Sequence, residues 1–494
     1  MVMSTKRNKL MPMTENSAKW YSQVVQYAEL AEHSPVRGCM IIRPYGYAIW
    51  EVIQRNLDKR IKSAGVENAY FPIFIPKSFL SREAKHVKGF AKECAVVTHY
   101  RLKEDARGED VVIDPEAKLE EELVLRPTSE TIIYDAFSRW IKSWRDLPLN
   151  INQWANIVRW EKRTRPFLRT SEFLWQEGHT AHATKDEAAK EVARALKMYH
   201  DLAKDLLAIP TTMGYKTESE KFAGADYTTT IEALLRDKKA LQSGTSHMLG
   251  QNFSKSFNVK FVGRDNKEHY VWQTSWGLST RIIGGVILMH GDDKGLVLPP
   301  KVAPIQVIIV PIWKDKEQRF FVEEFVENIK RQIGSKVRLK IDWREESPGW
   351  KFNEWEMKGV PLRFEVGPKD VKKGSVFAAF RHTGEKKSIK VDKDFTATVM
   401  QILEDIHNQM YERAVEFVEE NTHYVETYDE FKTVASDKGG YVQAFFCGDS
   451  KEEELIKNET KFSTRCIPMK TYEKLGPCIK CGKEGHLTNF ARAY

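Results

Sequence analysis

QWANIVRW (153–160), EKRTRPFLRT (161–170) and SEFLWQEGH (171–179) form the stretch that decides the fold. The first and last segments are rich in aromatic and β-branched residues and read as two strands, with the basic segment as their connection. Arg159, Glu161, Arg169 and Phe173 around it offer what a bent nucleoside triphosphate needs. Arginine clamps phosphate oxygens with parallel charge-assisted hydrogen bonds, a carboxylate accepts from an adenine amino group, and a phenyl face stacks on the base. Taken alone, an R-x-E with basic neighbours is more often a solvated strand end, so the meaning of the stretch depends on its company.

Upstream, residues 46–64 place Ile49, Ile53, Leu57 and Ile61 four apart, which predicts an amphipathic helix. AYFPIFIP (69–76) follows and reads as a strand whose Pro72 and Pro76 suit an edge or an interface, so helix and edge strand together suggest a dimer seam. Downstream, 186–207 is strongly helical, and HYVWQTSW (269–276) reads as a strand. It leads through Gly277 into STRIIGGVILMH (279–290), read as a buried helix although its two glycines weaken that reading.

The glycines and prolines of GDDKGLVLPPKVAPIQ (291–306) mark the best domain boundary. Beyond it a strand (306–313), a helix (317–333) and a strand (336–343) alternate as in a small α/β domain. A helix over about 395–420, with Val399, Leu403, Ile406 and Met410 on one face, leads to the cysteine-bearing end.

Composition narrows the class. The chain has 494 residues, 41% hydrophobic and 30% charged, the balance of a folded enzyme-sized protein of several domains. Its apolar runs fall far short of the ~20 residues that cross a bilayer, and the basic, polar start (1–17) reads as a flexible tail without a secretory apolar region. Six cysteines, Cys39, Cys94, Cys447, Cys466, Cys478 and Cys481, suit a reducing compartment, and a net charge of +8 permits a polyanionic partner.

Order then gives the hairpin its meaning. A helix and Pro-containing strand ending at Pro72, the hairpin from Arg159 to Glu177, and TSWGLSTR (274–281) around Gly277 and Arg281 together resemble the three signature motifs of class II aminoacyl-tRNA synthetases. Within that class GCMIIRPYGYAIWE (38–51), LRPTSETIIY (125–134), FLRTSEFLWQEGHTAHAT (167–184), LQSGTSHMLGQNF (241–253) and PGWKFNEWEMKGVPLRFEVGPKD (348–370) resemble the prolyl-tRNA synthetase family of the archaeal and eukaryotic type.

The resemblance implies an α+β catalytic core with an antiparallel sheet flanked by helices (1–300). An α/β anticodon-binding domain (301–405) and a small α/β C-terminal domain (406–494) would follow. It implies ATP-dependent ligation of proline to tRNA(Pro) through prolyl-adenylate, with Mg²⁺, by a cytoplasmic homodimer that spans no membrane. Residue by residue, it implies that Thr128, Glu130, Arg159, Trp175, His247 and Ser275 line the proline pocket over Gly277. Arg159, Glu161, Arg169, Phe173, Gln242, Thr245 and Arg281 would surround ATP, with Arg159 and Arg281 acting on the phosphates. Glu356, Arg363, Lys369 and Asp370 would read the anticodon.

Three departures sharpen the expectation. Family members with a C-terminal zinc carry a cysteine five residues after the one matching Cys447, where this chain has Glu452; Cys447, Cys466, Cys478 and Cys481 are therefore expected to be reduced thiols rather than a zinc site. About a hundred residues separate Glu177 from Gly277, too few for the editing insertion of the bacterial-type enzymes, so alanine is expected to be activated and Ala-tRNA not cleared. Threonyl enzymes hold a zinc through a cysteine in R-P-M-N-C, which aligns with R-P-T-S-E and puts Glu130 in the cysteine's place. The rivals are a sister enzyme for threonine, serine, glycine or histidine, and a silent synthetase-like protein, which would have no need of an intact phosphate clamp.

Overall fold

The computed structural model describes residues 9–82 and 93–494. The two expected strands form the hairpin Leu149–Val158 and Glu172–His182, paired antiparallel with Phe173 opposite Ile157 and Glu177 opposite Gln153. Trp272–Ser279, Ala240–Gly250, Tyr227–Leu234 and Thr212–Tyr215 extend the sheet strand by strand, all antiparallel.

Lys185–Leu207 covers one face of this sheet. It opens on a capping box between Thr184 and Glu187 and buries Val192, Leu196, Tyr199 and Leu202. Arg281–His290 is helical and buried from Ile282 onward. Its two glycines, which weaken the reading from sequence, are there for room: a Cβ on Gly284 would lie 2.4 Å from Leu168 Cδ2. Helix propensity yields to close packing.

Three expectations are corrected. The stretch 69–76 is not one strand: Glu67–Asn68 edges the main sheet, parallel to Leu149–Val158, and Phe74–Pro76 pairs with Lys118–Leu125 in a separate sheet. Between them the backbone is captured by a side chain, Phe71 N–H donating to Gln153 Oε1. The strand over 269–276 divides at Val271, because Glu268–Tyr270 turns away to pair with Lys260–Val262. Of the expected flexible start, residues 1–8 lie outside the described residues; beyond them Leu10 is buried and Met13 N–H donates to Asp293 at 2.9 Å.

After 291–306 a second, five-stranded sheet begins. Val307–Pro311, Leu339–Ile341 and Leu362–Val366 run parallel, and Ser375–Phe380 and Lys386–Lys390 add antiparallel strands. Lys316–Ile333 and Phe395–Glu420 pack on it through Val322, Val326, Val399 and Leu403. Phe395–Glu420 runs without a break past residue 405.

The C-terminal strands form no isolated layer. Ser463–Pro468 joins the main sheet through two residue pairs, Gly214 with Pro468 and Tyr215 with Ile467, making a sheet of twelve described strands. A buried ion cluster seals the seam: Glu232 accepts from Lys216 Nζ at 2.8 Å and from Arg465 Nη2 at 3.0 Å. Beside it Glu453 accepts from Thr217 at 3.2 Å and from Ser219 and Thr464. No described helix is long and apolar enough to cross a membrane.

Candidate active site

Residues directly opposed in antiparallel strands project to the same face. His179, Ser275 and His247 therefore form one row across three strands, and Glu177, Gly277 and Thr245 the next. Alternation along Glu172–His182 adds Phe173 and Trp175 to that face. Together they line a cavity of about 210 Å³ closed at one end by Thr128, Glu130 and Arg159. The structure thus brings all seven residues expected around proline to one cavity, and Phe173, Gln242, Thr245 and Arg281 of the nucleotide set with them. Glu161 and Arg169 line an adjoining cavity that shares Arg159, Phe173 and Arg281.

Gln242 and Thr245 are three apart, which in a regular strand would put them on opposite faces. A bulge reconciles them: Glu232 pairs with Gln242 but Ile231 with Gly244, so Ser243 is skipped and the alternation resets. At Gly277 a Cβ would stand 3.3 Å from Gln176 O and 3.6 Å from the Trp175 ring, crowding the floor between the two rows.

The pocket holds a buried carboxylate and a half-buried guanidinium. Glu130 opens the helix Glu130–Trp140, is buried, and accepts from Thr128 Oγ1. Arg159 Nε donates to Pro127 O at 2.8 Å, and the guanidinium lies 5.5 and 5.7 Å from the ring centroids of Trp175 and Phe173, within cation–π range. Trp175 Nε1 and Ser275 Oγ are buried with no hydrogen-bond partner among the described residues. Both atoms are free to bond a ligand that enters the cavity.

His247 is neutral: burial, with the charges of His179 and Arg159, pushes its pKa down to about 3. It bonds Thr228 Oγ1 at 2.9 Å and Thr245 Oγ1 at 3.1 Å and lies under Phe222, ring centroids 4.5 Å apart. In the cavity wall is a network that the sequence reading did not single out. Glu177 accepts from Ser129 Oγ at 2.5 Å and Gln153 Nε2 at 2.8 Å and pairs with His179 at 2.9 Å. Burial alone would lower the His179 pKa, but the Glu177 hydrogen bond and charge outweigh it and hold it above the ordinary value. Alternation from Trp175 would have found both.

On the nucleotide side Glu161 pairs with Arg169 at 2.8 Å and accepts Arg163 N–H, also at 2.8 Å. Burial, reinforced by the neighbouring cations Arg159, Arg169 and Arg465, lowers the Arg281 pKa to about 10, well within the charged range at neutral pH. Like charges gathered in a buried cleft need an anion.

The four residues expected at the anticodon separate. Glu356 and Arg363 line a cavity of about 380 Å³ on the second sheet, with Arg363 stacked 4.2 Å from the Phe352 centroid. Lys369 and Asp370 do not line it; Asp370 accepts Gly367 N–H at 2.9 Å as a helix cap. The four cysteines also separate. Cys447, Cys478 and Cys481 meet Glu452, their donor atoms all within 4.8 Å of one another. Cys466 is buried in the sheet seam against Gly214, because the register shift after Thr464 turns it there. The three thiols and one carboxylate suit a tetrahedral zinc ion, with the carboxylate in the position of a fourth thiolate.

Comparison with known proteins agrees with this geometry. The family model "tRNA synthetase class II core domain (G, H, P, S and T)" matches residues 112–290, "Anticodon binding domain" 306–398, and "Prolyl-tRNA synthetase, C-terminal" 428–494. The chain is 55% identical to a proline–tRNA ligase of Amoebophilus asiaticus over 96% of this chain and 97% of that one. It is 52% identical to that of Porphyromonas gingivalis over the full length of both. Among solved structures it resembles a prolyl-tRNA synthetase of Cryptosporidium parvum complexed with halofuginone and AMPPNP. The TM-score is 0.90 and the identity 44%, over 98% of this chain and 99% of that one.

Proposed function

Because the chain belongs to the prolyl-tRNA synthetases and joins proline to tRNA at the expense of ATP, we propose that the cavity between Glu130 and Arg281 is where both substrates meet. The observation that carries this is the buried Glu130 carboxylate in one cavity with Arg159, where Trp175 Nε1 and Ser275 Oγ have no hydrogen-bond partner among the described residues. The secondary ammonium of proline has two N–H donors and a positive charge, and Glu130 answers both; the ring lies against Trp175 and His247 over Gly277. A neutral His247 adds no second cation beside the ammonium.

Arg159 holds the proline carboxylate against the α-phosphate. A carboxylate oxygen attacks the α-phosphorus, the bond to the bridging oxygen breaks, and pyrophosphate leaves. Arg169 and Arg281 balance its charge, while Phe173 stacks on adenine and Glu161 accepts from the amino group. Mg²⁺, bound with the triphosphate, screens its charge. A hydroxyl of the tRNA 3′ end then takes the prolyl group and AMP departs. Glu356 and Arg363 are assigned to the anticodon.

The functional units are taken as 1–300, 301–405 and 406–494. The type without an editing insertion is supported by residues 178–276, which are used up by the core strands and the helix Lys185–Leu207. A homodimer is supported by the solvent-exposed apolar side chains of Tyr70, Val96, Tyr100, Leu102, Val111 and Ile113, and the cytoplasm by the role in translation. Zinc, if bound, is held by Cys447, Glu452, Cys478 and Cys481, far in sequence from Glu130.

The test is proline-dependent ATP–pyrophosphate exchange by Glu130→Ala. Unpairing the buried ammonium costs roughly 3–5 kcal/mol, so a loss of about 10²-fold or more is expected. Zinc chelation of the wild type should leave its KM for proline unchanged. Wild-type proline affinity in the variant, or threonine activation abolished by chelation, would overturn the assignment.

A further inference from the structure

Next to the nucleotide cavity lies a second chamber of about 430 Å³ whose C-terminal wall the two-substrate reading leaves unused. It shares Gln242 and Arg281 with the first cavity, and its far wall comes from the C-terminal unit: Lys457, Lys461 and Arg465. Five cations line it, Arg169 and Arg281 being the others, against one acidic side chain, Glu220. Two of the five are already matched, Arg169 by Glu161 and Arg465 by Glu232. Arg281, Lys457 and Lys461 have no carboxylate within salt-bridge distance among the described residues. Lys461 ends the helix Ser450–Thr460 at φ 65°, a left-handed position where glycine is the usual residue.

We propose that this chamber is a condensed-phosphate site, in which the C-terminal unit supplies Lys457 and Lys461 to the phosphate chain of ATP or to pyrophosphate as it leaves. The inference rests on the active-site assignment above and extends it. A single phosphate would be served by Arg281 alone, whereas a chain of two or three phosphates carries charge enough for three unmatched cations. Continuity with the nucleotide pocket through Gln242 and Arg281 favours such a chain over an RNA backbone, which would need an open surface track. Lys457 and Lys461 are exposed at the mouth, placed to meet the anion as it enters or leaves.

The experiment is steady-state exchange by the full-length Lys457→Ala/Lys461→Ala variant, varying pyrophosphate, ATP and proline in turn. The KM for pyrophosphate is expected to rise about fivefold or more with the KM for proline unchanged, and Lys457→Arg/Lys461→Arg should restore it. A parallel rise in the KM for ATP would place the outer phosphates there before reaction; a rise for pyrophosphate alone would make it a product site. Unchanged values for both overturn the proposal, as does a rise confined to the KM for tRNA in aminoacylation. The exposed single variant Lys457→Ala decides should the double variant not fold. Failure of the active-site assignment would show separately, as wild-type proline affinity in Glu130→Ala.

Discussion

The anticodon-binding unit and the C-terminal unit are attached to the same core in opposite ways. The first has its own sheet and meets the core outside it, through Arg381 on Asp292 at 2.6 and 2.7 Å, Lys358 on Glu29 at 2.7 Å and two backbone hydrogen bonds, Leu296 N–H to Met357 O at 3.0 Å and Leu298 N–H to Gly359 O at 3.1 Å. The second shares the core's sheet and a fully buried ion cluster, and its Arg465 lies in a chamber beside Arg281. A module that keeps its own sheet can read tRNA without touching the chemistry. One that continues the sheet becomes part of the active-site wall.

The sharpest way to break this contrast is Glu232→Gln, which leaves Lys216 and Arg465 buried without a counter-charge. It should destabilise the joined unit by roughly 3–5 kcal/mol in chemical denaturation and lower tRNA-free exchange with it. Normal stability and exchange would mean that the seam is incidental. Next in size, Arg363→Ala should reduce kcat/KM for tRNA by roughly 1–3 kcal/mol while sparing exchange, because it removes a contact to anticodon bases and none to ATP. Equal loss of both activities would erase the distinction between the two units. The smallest effect is at Asp370→Ala: loss of a helix cap should cost roughly 0.5–1 kcal/mol in thermal unfolding and leave tRNA affinity within about threefold of wild type. A large change in tRNA affinity would return Asp370 to the anticodon site.

How much of this was legible in the letters follows from the range of the forces involved. The hairpin, the helix Phe395–Glu420 and the α/β alternation after 306 are local patterns, and the structure has them within a few residues. The motif order sufficed to bring together the residues expected around proline and ATP because paired strands fix their rows. Glu177 and His179 were readable from alternation but hidden by their character: a buried ion pair looks in sequence like two solvated residues. Gln242 is brought round by a bulge, which has no signature there in the letters. The separation of Cys466 from the other three thiols was not legible because spacing says nothing of register, and the Thr464/Cys466 shift points it into the seam. The fusion of the two sheets rests on two residue pairs between segments that carry no sign of each other.

That fusion also sets a clock. Tyr215 and Gly214 find their partners only at Ile467 and Pro468, so at roughly 5–20 residues per second a ribosome needs on the order of 10–50 s between making one side of the join and the other. Through that interval the strand Thr212–Tyr215 is an unpaired edge on one side, and the acid of Glu232 waits for Arg465. The join, and with it the placing of Arg465 beside Arg281, therefore forms only after Ser463–Pro468 has been made.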